Sequence, residues 1–293
     1  MITVPSKKQV QKAGKLLAED TATSEEFAQA MATLSDWRAL HNYPINTFQA
    51  TLRGKVKKLG FKSPIIAQRL KRTPSIVRKL QRFPNMNLAR MQDIGGIRIV
   101  LANVAEVYRL HTNILNSKRP FEHEPLLPPK DYIKEPKSDG YRSLHQVFKY
   151  KSTTYPELDG LQIELQIRTK LQHAWATAVE TLGIIEKSSF KTGEGSEEFK
   201  RFFMLASALF SYNERQPILP ALADIPIKEI AKELRALEAK LQIFAKLQGL
   251  IVTAKHIETS SPKSDEYHLM ELDTSKESPA ISLIPFTKSQ LEM

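Results

Sequence analysis

Two acidic residues stand out by their surroundings. Asp93 lies in Met91-Gln92-Asp93-Ile94-Gly95-Gly96-Ile97-Arg98, at the mouth of an apolar run. Glu164 lies in Ile163-Glu164-Leu165-Gln166-Ile167-Arg168-Thr169, where apolar and polar residues alternate. Two carboxylates at adjacent strand ends suit Mg²⁺ over a triphosphate, because Mg²⁺ takes one or two protein carboxylates and fills its shell with phosphate oxygens. Arginine and lysine around them would neutralise charge developing on a transferred group. A salt-bridged structural role is the competing reading of both acids, and spacing alone leaves it open. A third element, Lys134-Glu135-Pro136-Lys137-Ser138-Asp139-Gly140-Tyr141-Arg142-Ser143-Leu144-His145, combines an aromatic face for a base with cations for its phosphates. Asp139-Gly140 is equally a plain turn signal.

The charge distribution agrees with an anionic partner. The chain has 293 residues and a formal net charge of +11. From Arg53 to Arg98 there are thirteen basic residues and a single acid, Asp93, so this window accounts for the whole surplus. A concentrated basic field points to a polyphosphate or a nucleic acid, with a solvated basic helix as the alternative.

Several chemistries are excluded. Cysteine is absent, which removes disulfides, thiolate zinc sites and cysteine nucleophiles and fits a cytoplasmic location. There is no GxxxxGK[ST] loop, no GxGxxG and no HExxH, and none of the seven histidines precedes an aspartate. No apolar run approaches the roughly 20 residues a bilayer span needs, and no secretory signal is visible at the start.

The elements that must position these residues follow from periodicity. Residues 5–60 read as three helices. Thr23 caps the second, Phe27, Met31, Leu34 and Trp37 recur at helical spacing, and Pro44-Ile45-Asn46 interrupts before Phe48, Leu52 and Val56. Ile65 to Leu70 and Ile97 to Leu101 read as strands, Pro74 to Leu80 and Val104 to Leu115 as helices. Five prolines between 120 and 136 read as a connection. Leu144 to Tyr150 and Leu161 to Arg168 follow as strands, the second putting Ile163, Leu165 and Ile167 on one face and Glu164 and Arg168 on the other. A helix runs from Lys170 to about Ile185, and strands interleaved with helices indicate an α/β or α+β core, the α+β class being the one expected. Gly193 to Ser196 reads as a linker. Two helices come next, the second striped from Ile227 to Ile251 in the manner of an intramolecular helix pair. Tyr267 to Leu272 and Ile281 to Phe286 read as strands, either an appended hairpin or a sign of truncation.

Four motifs in order resemble the synthetase domain of the RelA/SpoT alarmone synthetase family. They are Arg69-x-Lys71-x-x-x-Ser75-Ile76-x-x-Lys79, Asp93-Ile94-x-Gly96-Ile97-Arg98, Lys137-x-x-Gly140-Tyr141-x-Ser143-Leu144-His145, and Glu164-x-Gln166-Ile167-Arg168-Thr169 with Trp175-Ala176. The resemblance implies a nucleotidyltransferase-like mixed β-sheet flanked by helices. It also implies Mg²⁺-dependent transfer of the β,γ-pyrophosphate of ATP to a 3′-hydroxyl, with AMP leaving. Arg69, Lys71, Ser75, Lys79 and Arg98 would bind ATP. Asp93 and Glu164 would share the metal, Glu164 also polarising the attacking hydroxyl. Lys137, Tyr141, His145 and Arg168 would bind the acceptor.

On this reading residues 1–60 form a helical N-terminal region, 61–190 the synthetase domain, 191–256 C-terminal helices and 257–293 a strand-like tail. The histidine-aspartate pair of the family's hydrolase domain is missing, which implies a stand-alone small synthetase, and Glu180 stands near a position where long members place histidine. The expected acceptor is GDP or GTP, giving (p)ppGpp. The alternatives are an adenine nucleotide, or a toxin-type enzyme that modifies the 3′-CCA end of tRNA and is paired with an antitoxin. For that last reading Arg53, Lys55, Lys57, Lys58 and Lys62 are the candidate RNA contacts. A catalytically dead binding module is the remaining alternative, and a homo-oligomer is compatible with the C-terminal stripe.

Overall fold

The computed structural model describes residues 4–19, 22–117, 123–152, 154–186 and 196–247, together with strands at 267–273 and 280–286. Three helices open the chain: α1 (Lys7–Ala18), α2 (Ser24–Ala39) and α3 (Asn42–Lys58). Capping boxes start the first two, Ser6 with Gln9 and Thr23 with Glu26, each cap being worth about 1 kcal/mol. Pro44 does not interrupt the helical pattern. It sits in the first turn of α3, where a missing N–H costs nothing, and the break falls instead at Leu40 and His41.

Strand β1 (Ile65–Leu70) leads to α4 (Thr73–Arg82), β2 (Gly95–Leu101) and α5 (Val104–Leu115). The proline-rich stretch is not a loop. Glu124–Asp131 forms strand β3 with Pro125, Pro128 and Pro129 inside it. It is tolerated because β3 is an edge strand whose pairing with β4 (Leu144–Lys149) slips between Leu126 and Lys130, so few ladder donors are required of it. Strand β5 (Gln162–Thr169) runs directly into α6 (Lys170–Ile185). The sheet order is β1-β2-β5-β4-β3, with β2 and β5 parallel and the other pairs antiparallel, the mixed α+β sheet expected.

Ile97, Ile99, Leu101, Ile163, Leu165, Ile167 and Phe148 project from one face of this sheet into a core shared with Leu34, Phe48, Leu52, Leu110 and Ile114 of the helices. Gly95 is needed there, since a Cβ would stand 3.0 Å from both His41 and Ile45 of the helical layer. The alternating residues of the strands therefore point the other way.

The chain divides into two compact units, residues 1–174 with 207–224 and residues 175–206 with 225–293. Helix α7 (Glu197–Asn213) contributes to both ranges, and α8 (Ile227–Leu241) belongs to the second. In that second unit Arg201 of α7 grips Glu233 of α8 through two bonds of 2.6 and 2.7 Å, and Lys240 reaches Glu198, so α8 is partnered within the chain. The apolar stripe of α8 is not continuous. Ile230 is buried, Leu234, Leu237 and Leu241 are half-buried, and the helix stops where Gln242 adopts a left-handed backbone; Ile251 lies outside the described residues. Strands β6 (Tyr267–Asp273) and β7 (Ala280–Phe286) pair as an antiparallel hairpin. The Gly193 to Ser196 linker falls, apart from Ser196, outside the described residues.

Candidate active site

Parity assembles the site. Gly96 and Arg98 on β2, Glu164, Gln166 and Arg168 on β5, and His145 on β4 all share the face turned away from the apolar core. Glu164 pairs in the ladder with Gly96 on one side and Val147 on the other. Any side chain at position 96 would crowd it, a Cβ lying 3.0 Å from the Glu164 carbonyl oxygen.

Asp93 sits in the turn before β2 and meets two ammonium groups. Lys71 Nζ is 2.6 Å from Oδ2 and Lys79 Nζ is 2.9 Å from Oδ1. Lys71 is fixed from two sides, its N–H donating to the Ile94 carbonyl at 2.8 Å and its own carbonyl accepting from Arg38 Nε at 2.8 Å. Lys79 comes from the last turn of α4, and Ser75 stands half-buried in the first turn of that helix. Burial pushes the Asp93 carboxyl up, but the two lysines outweigh it and hold the acid below its ordinary value.

Glu164 is held differently. His145 Nδ1 is 2.9 Å from Oε1, and Gln166 Nε2 donates to Oε2 at 2.7 Å. Burial and the charge of Asp93 oppose ionisation of Glu164, yet these bonds win and its pKa is lowered. A carboxylate only accepts, so His145 carries a proton on Nδ1, and its Nε2 lies 2.9 Å from the Tyr141 hydroxyl. Tyr141, His145 and Glu164 thus form a hydrogen-bonded chain.

Around that chain Tyr132 meets His145 and Tyr141 edge-on, and Lys137 Nζ lies 4.7 Å above the Tyr132 ring and 5.1 Å above that of Tyr141. The Asp139-Gly140 pair is indeed a turn: Gly140 has φ 95°, and the Asp139 carboxylate accepts from the Tyr141 N–H. It is the turn that aims Tyr141.

Three guanidinium groups converge without a carboxylate partner among the described residues. Arg168 is 2% exposed, and its Nε, like that of Arg98, is buried with no hydrogen-bond partner. Burial, then the charges of Arg98 and Arg69, lowers the Arg168 pKa to about 10; Arg98 is shifted below its ordinary value by burial and then by the charge of Arg69. His173, in the first turns of α6, is lowered as well, by burial first and then by the charges of Arg168 and Arg98. Mutually repelling cations with idle donors mark a place for a polyanion.

The structure brings together Arg69, Lys71, Lys79, Asp93, Arg98, Lys137, Tyr141, His145, Glu164 and Arg168. Arg53, Lys57, Lys58 and Lys62 are not drawn in; they stand exposed at the end of α3 and in the turn after it. Lys55 is tied down, its ammonium bonding Asn113 and Ser117 of the α5 end. Tyr132 and His173 escaped sequence reasoning, and Gln166 entered it only as a motif position with no assigned role. Gln166 carries the same period-two signal as Glu164, whereas Tyr132 and His173 carry none.

The sequence signature described as "Region found in RelA / SpoT proteins" matches residues 68–194, which contain every residue of this site. The GTP pyrophosphokinase YjbM of Bacillus subtilis (strain 168) is 32% identical over 149 residues, which are 47% of this chain and 69% of that protein. The chain belongs to the RelA/SpoT family. A second RelA/SpoT relative, the GTP pyrophosphokinase YwaC of the same organism, is 32% identical over 114 residues, 37% of this chain. The chain spans about half of YwaC's length, 52%. In three dimensions the chain resembles the crystal structure of small alarmone synthetase 1 from Bacillus subtilis bound to its product pppGpp. The TM-score is 0.53 at 24% identity, covering 62% of this chain and 93% of that one, a likeness of fold.

Proposed function

We propose that this chain transfers the β,γ-pyrophosphate of ATP to the 3′-hydroxyl of GDP or GTP, releasing AMP and forming (p)ppGpp in a Mg²⁺-dependent reaction. The observation that carries this reading is the pairing of two ionised, largely buried carboxylates with three guanidinium groups that lack a counter-charge among the described residues. Hard oxygen ligands beside idle cations suit a metal-bound triphosphate. The family's GTP pyrophosphokinases and the relative crystallised with pppGpp support the same chemistry.

Asp93 and Glu164 fit Mg²⁺. Both are oxygen donors kept charged, and the described residues contain no cluster of three acids or histidines that would form a closed protein cage. When bound, Mg²⁺ would neutralise the triphosphate and the charge that develops as AMP leaves. The chain's own residues do the rest. Arg69, Lys71, Ser75, Lys79 and Arg98 bind ATP, and Lys137, Tyr141, His145 and Arg168 hold the acceptor. Glu164 takes the proton of the 3′-hydroxyl as the bond from that oxygen to the β-phosphorus forms. The bond from the β-phosphorus to the bridging oxygen breaks, and its electron pair leaves with AMP.

A second reading, pyrophosphorylation of the tRNA 3′-end, is favoured by the exposed cations Arg53, Lys57, Lys58 and Lys62. Lys55 drops out of that surface because its amine is engaged with α5. Incubation with γ-labelled ATP and either GDP, GTP, ATP or deacylated tRNA separates the readings. Label in a guanine nucleotide is expected. Label in tRNA alone establishes the second reading, and no transfer to any acceptor leaves a binding module.

A further inference from the structure

Three acceptor-side residues, Lys137, Tyr141 and His145, meet one further side chain, that of Tyr132. Tyr132 follows the last residue of β3, and its N–H donates to the Ser143 carbonyl at 3.0 Å, which continues the β3–β4 pairing past Asp131. Lys130 stands opposite His145 in that ladder, so Tyr132, two residues later, projects from the face that carries His145. Its ring meets the His145 imidazole edge-on, with centroids 5.2 Å apart and planes at 87°, and the Tyr141 ring at 6.0 Å and 68°. The Lys137 ammonium lies 4.7 Å from the same ring. These contacts are made by the ring rather than by the hydroxyl. Tyr132 also stands near enough to Glu164 that burial, and then the charge of that carboxylate, raises its pKa.

The backbone that carries Tyr132 is pinned beyond it and beneath it. The Asp131 carboxylate accepts from the Ile133 N–H at 3.1 Å and the Lys134 N–H at 3.3 Å through one oxygen, and the Tyr108 hydroxyl of α5 donates to the other at 2.9 Å. Ile133 is buried, and its carbonyl accepts from Arg142. A ring on so fixed a backbone restrains whatever it touches. The imidazole of His145 stands perpendicular to both tyrosine rings, with Nδ1 on Glu164.

We propose that Tyr132 is a positioning residue for the acceptor, its ring fixing His145, Tyr141 and Lys137 as one wall; this rests on the pyrophosphate-transfer reading. Tyr132→Leu removes the ring and keeps an apolar side chain. In transfer from ATP to GDP, KM for GDP should then rise about tenfold, the scale of two lost edge-on ring contacts, with KM for ATP within about twofold. Tyr132→Phe keeps the ring and should restore KM for GDP to within about threefold. A second readout needs no nucleotide. In the chain labelled with ¹⁵N-histidine, His145→Gln assigns the His145 resonances. Tyr132→Leu should move its ring nitrogens toward the averaged shifts of a freely exchanging imidazole, and Tyr132→Phe should leave them in place. An unchanged KM for GDP in Tyr132→Leu, an equal rise in both KM values, or a loss in Tyr132→Phe as large as in Tyr132→Leu overturns the proposal. A parent chain that transfers nothing to GDP refutes the transfer reading instead. The His145 nitrogens then decide the role of Tyr132, and shifts unaltered by Tyr132→Leu overturn it.

Discussion

At Glu164, a histidine and an amide hold a buried carboxylate in its charged form, so its chemistry can be separated from its packing. Glu164→Gln keeps the shape and removes the proton acceptor. Turnover should fall about 10³-fold, in the range of a lost general base, while ATP affinity stays within a few-fold. Transfer of labelled pyrophosphate and equilibrium binding measure the two quantities, and turnover within tenfold of the parent removes Glu164 from proton transfer. The residue was legible beforehand because a charged residue on an otherwise apolar, period-two strand has few reasons to be there. Gln166 shares that face and belongs to the same motif, but it is neutral, so its spacing alone did not assign it a role. Tyr132 follows a proline-rich strand and gave no signal, since its place beside His145 arises from the β3–β4 pairing.

Among the elements, the segment between β3 and β4 is the one that most needs support, because it presents Lys137 and Tyr141 from outside the ladder. Its anchor is Arg142, 3% exposed, which donates to the carbonyls of Ile133 and Pro217 and to Ser207 Oγ. Ser207 in turn donates to the Gly140 carbonyl at 2.6 Å. Burial lowers the Arg142 pKa to about 10, so it remains a cation at neutral pH. Ser207→Ala deletes the Gly140 bond and one Arg142 acceptor. It should cost about 1–2 kcal/mol in denaturant unfolding and raise KM for the acceptor several-fold, with KM for ATP unchanged. An equal rise in both would assign Ser207 to general stability. Most strands and helices were readable from periodicity, while β3 was not: proline argues against strand wherever ladder donors are required, and only the sheet order reveals that β3 is an edge.

For the whole molecule, pH acts through buried histidine. His41 is 1% exposed, its Nδ1–H donates to the Trp37 carbonyl at 2.9 Å, and burial lowers its pKa to about 4. The unfolded chain takes up this proton near 6.5 and the folded chain only near 4, so the unfolded state binds more protons between those values. Stability is full above about 6.5 and should fall by about 3 kcal/mol from this residue as pH drops to about 4. His123, stacked on Phe48 and Tyr150 and also lowered to about 4, acts in the same direction. Urea midpoints across the window should show the decline, and His41→Gln should flatten it; an unchanged slope refutes the assignment. The sequence by itself determined the strands other than β3, the face on which Glu164 lies, the cationic window and the absence of cysteine chemistry, because periodicity and composition are local properties. Only the tertiary structure decided which cations meet which acid. Lys71 and Lys79 reach Asp93 across separations of 22 and 14 residues, Lys55 turns from a presumed surface charge into a tie to α5, and Arg69, Arg98 and Arg168 converge. Such meetings depend on strand register and sheet order, which no window of sequence contains.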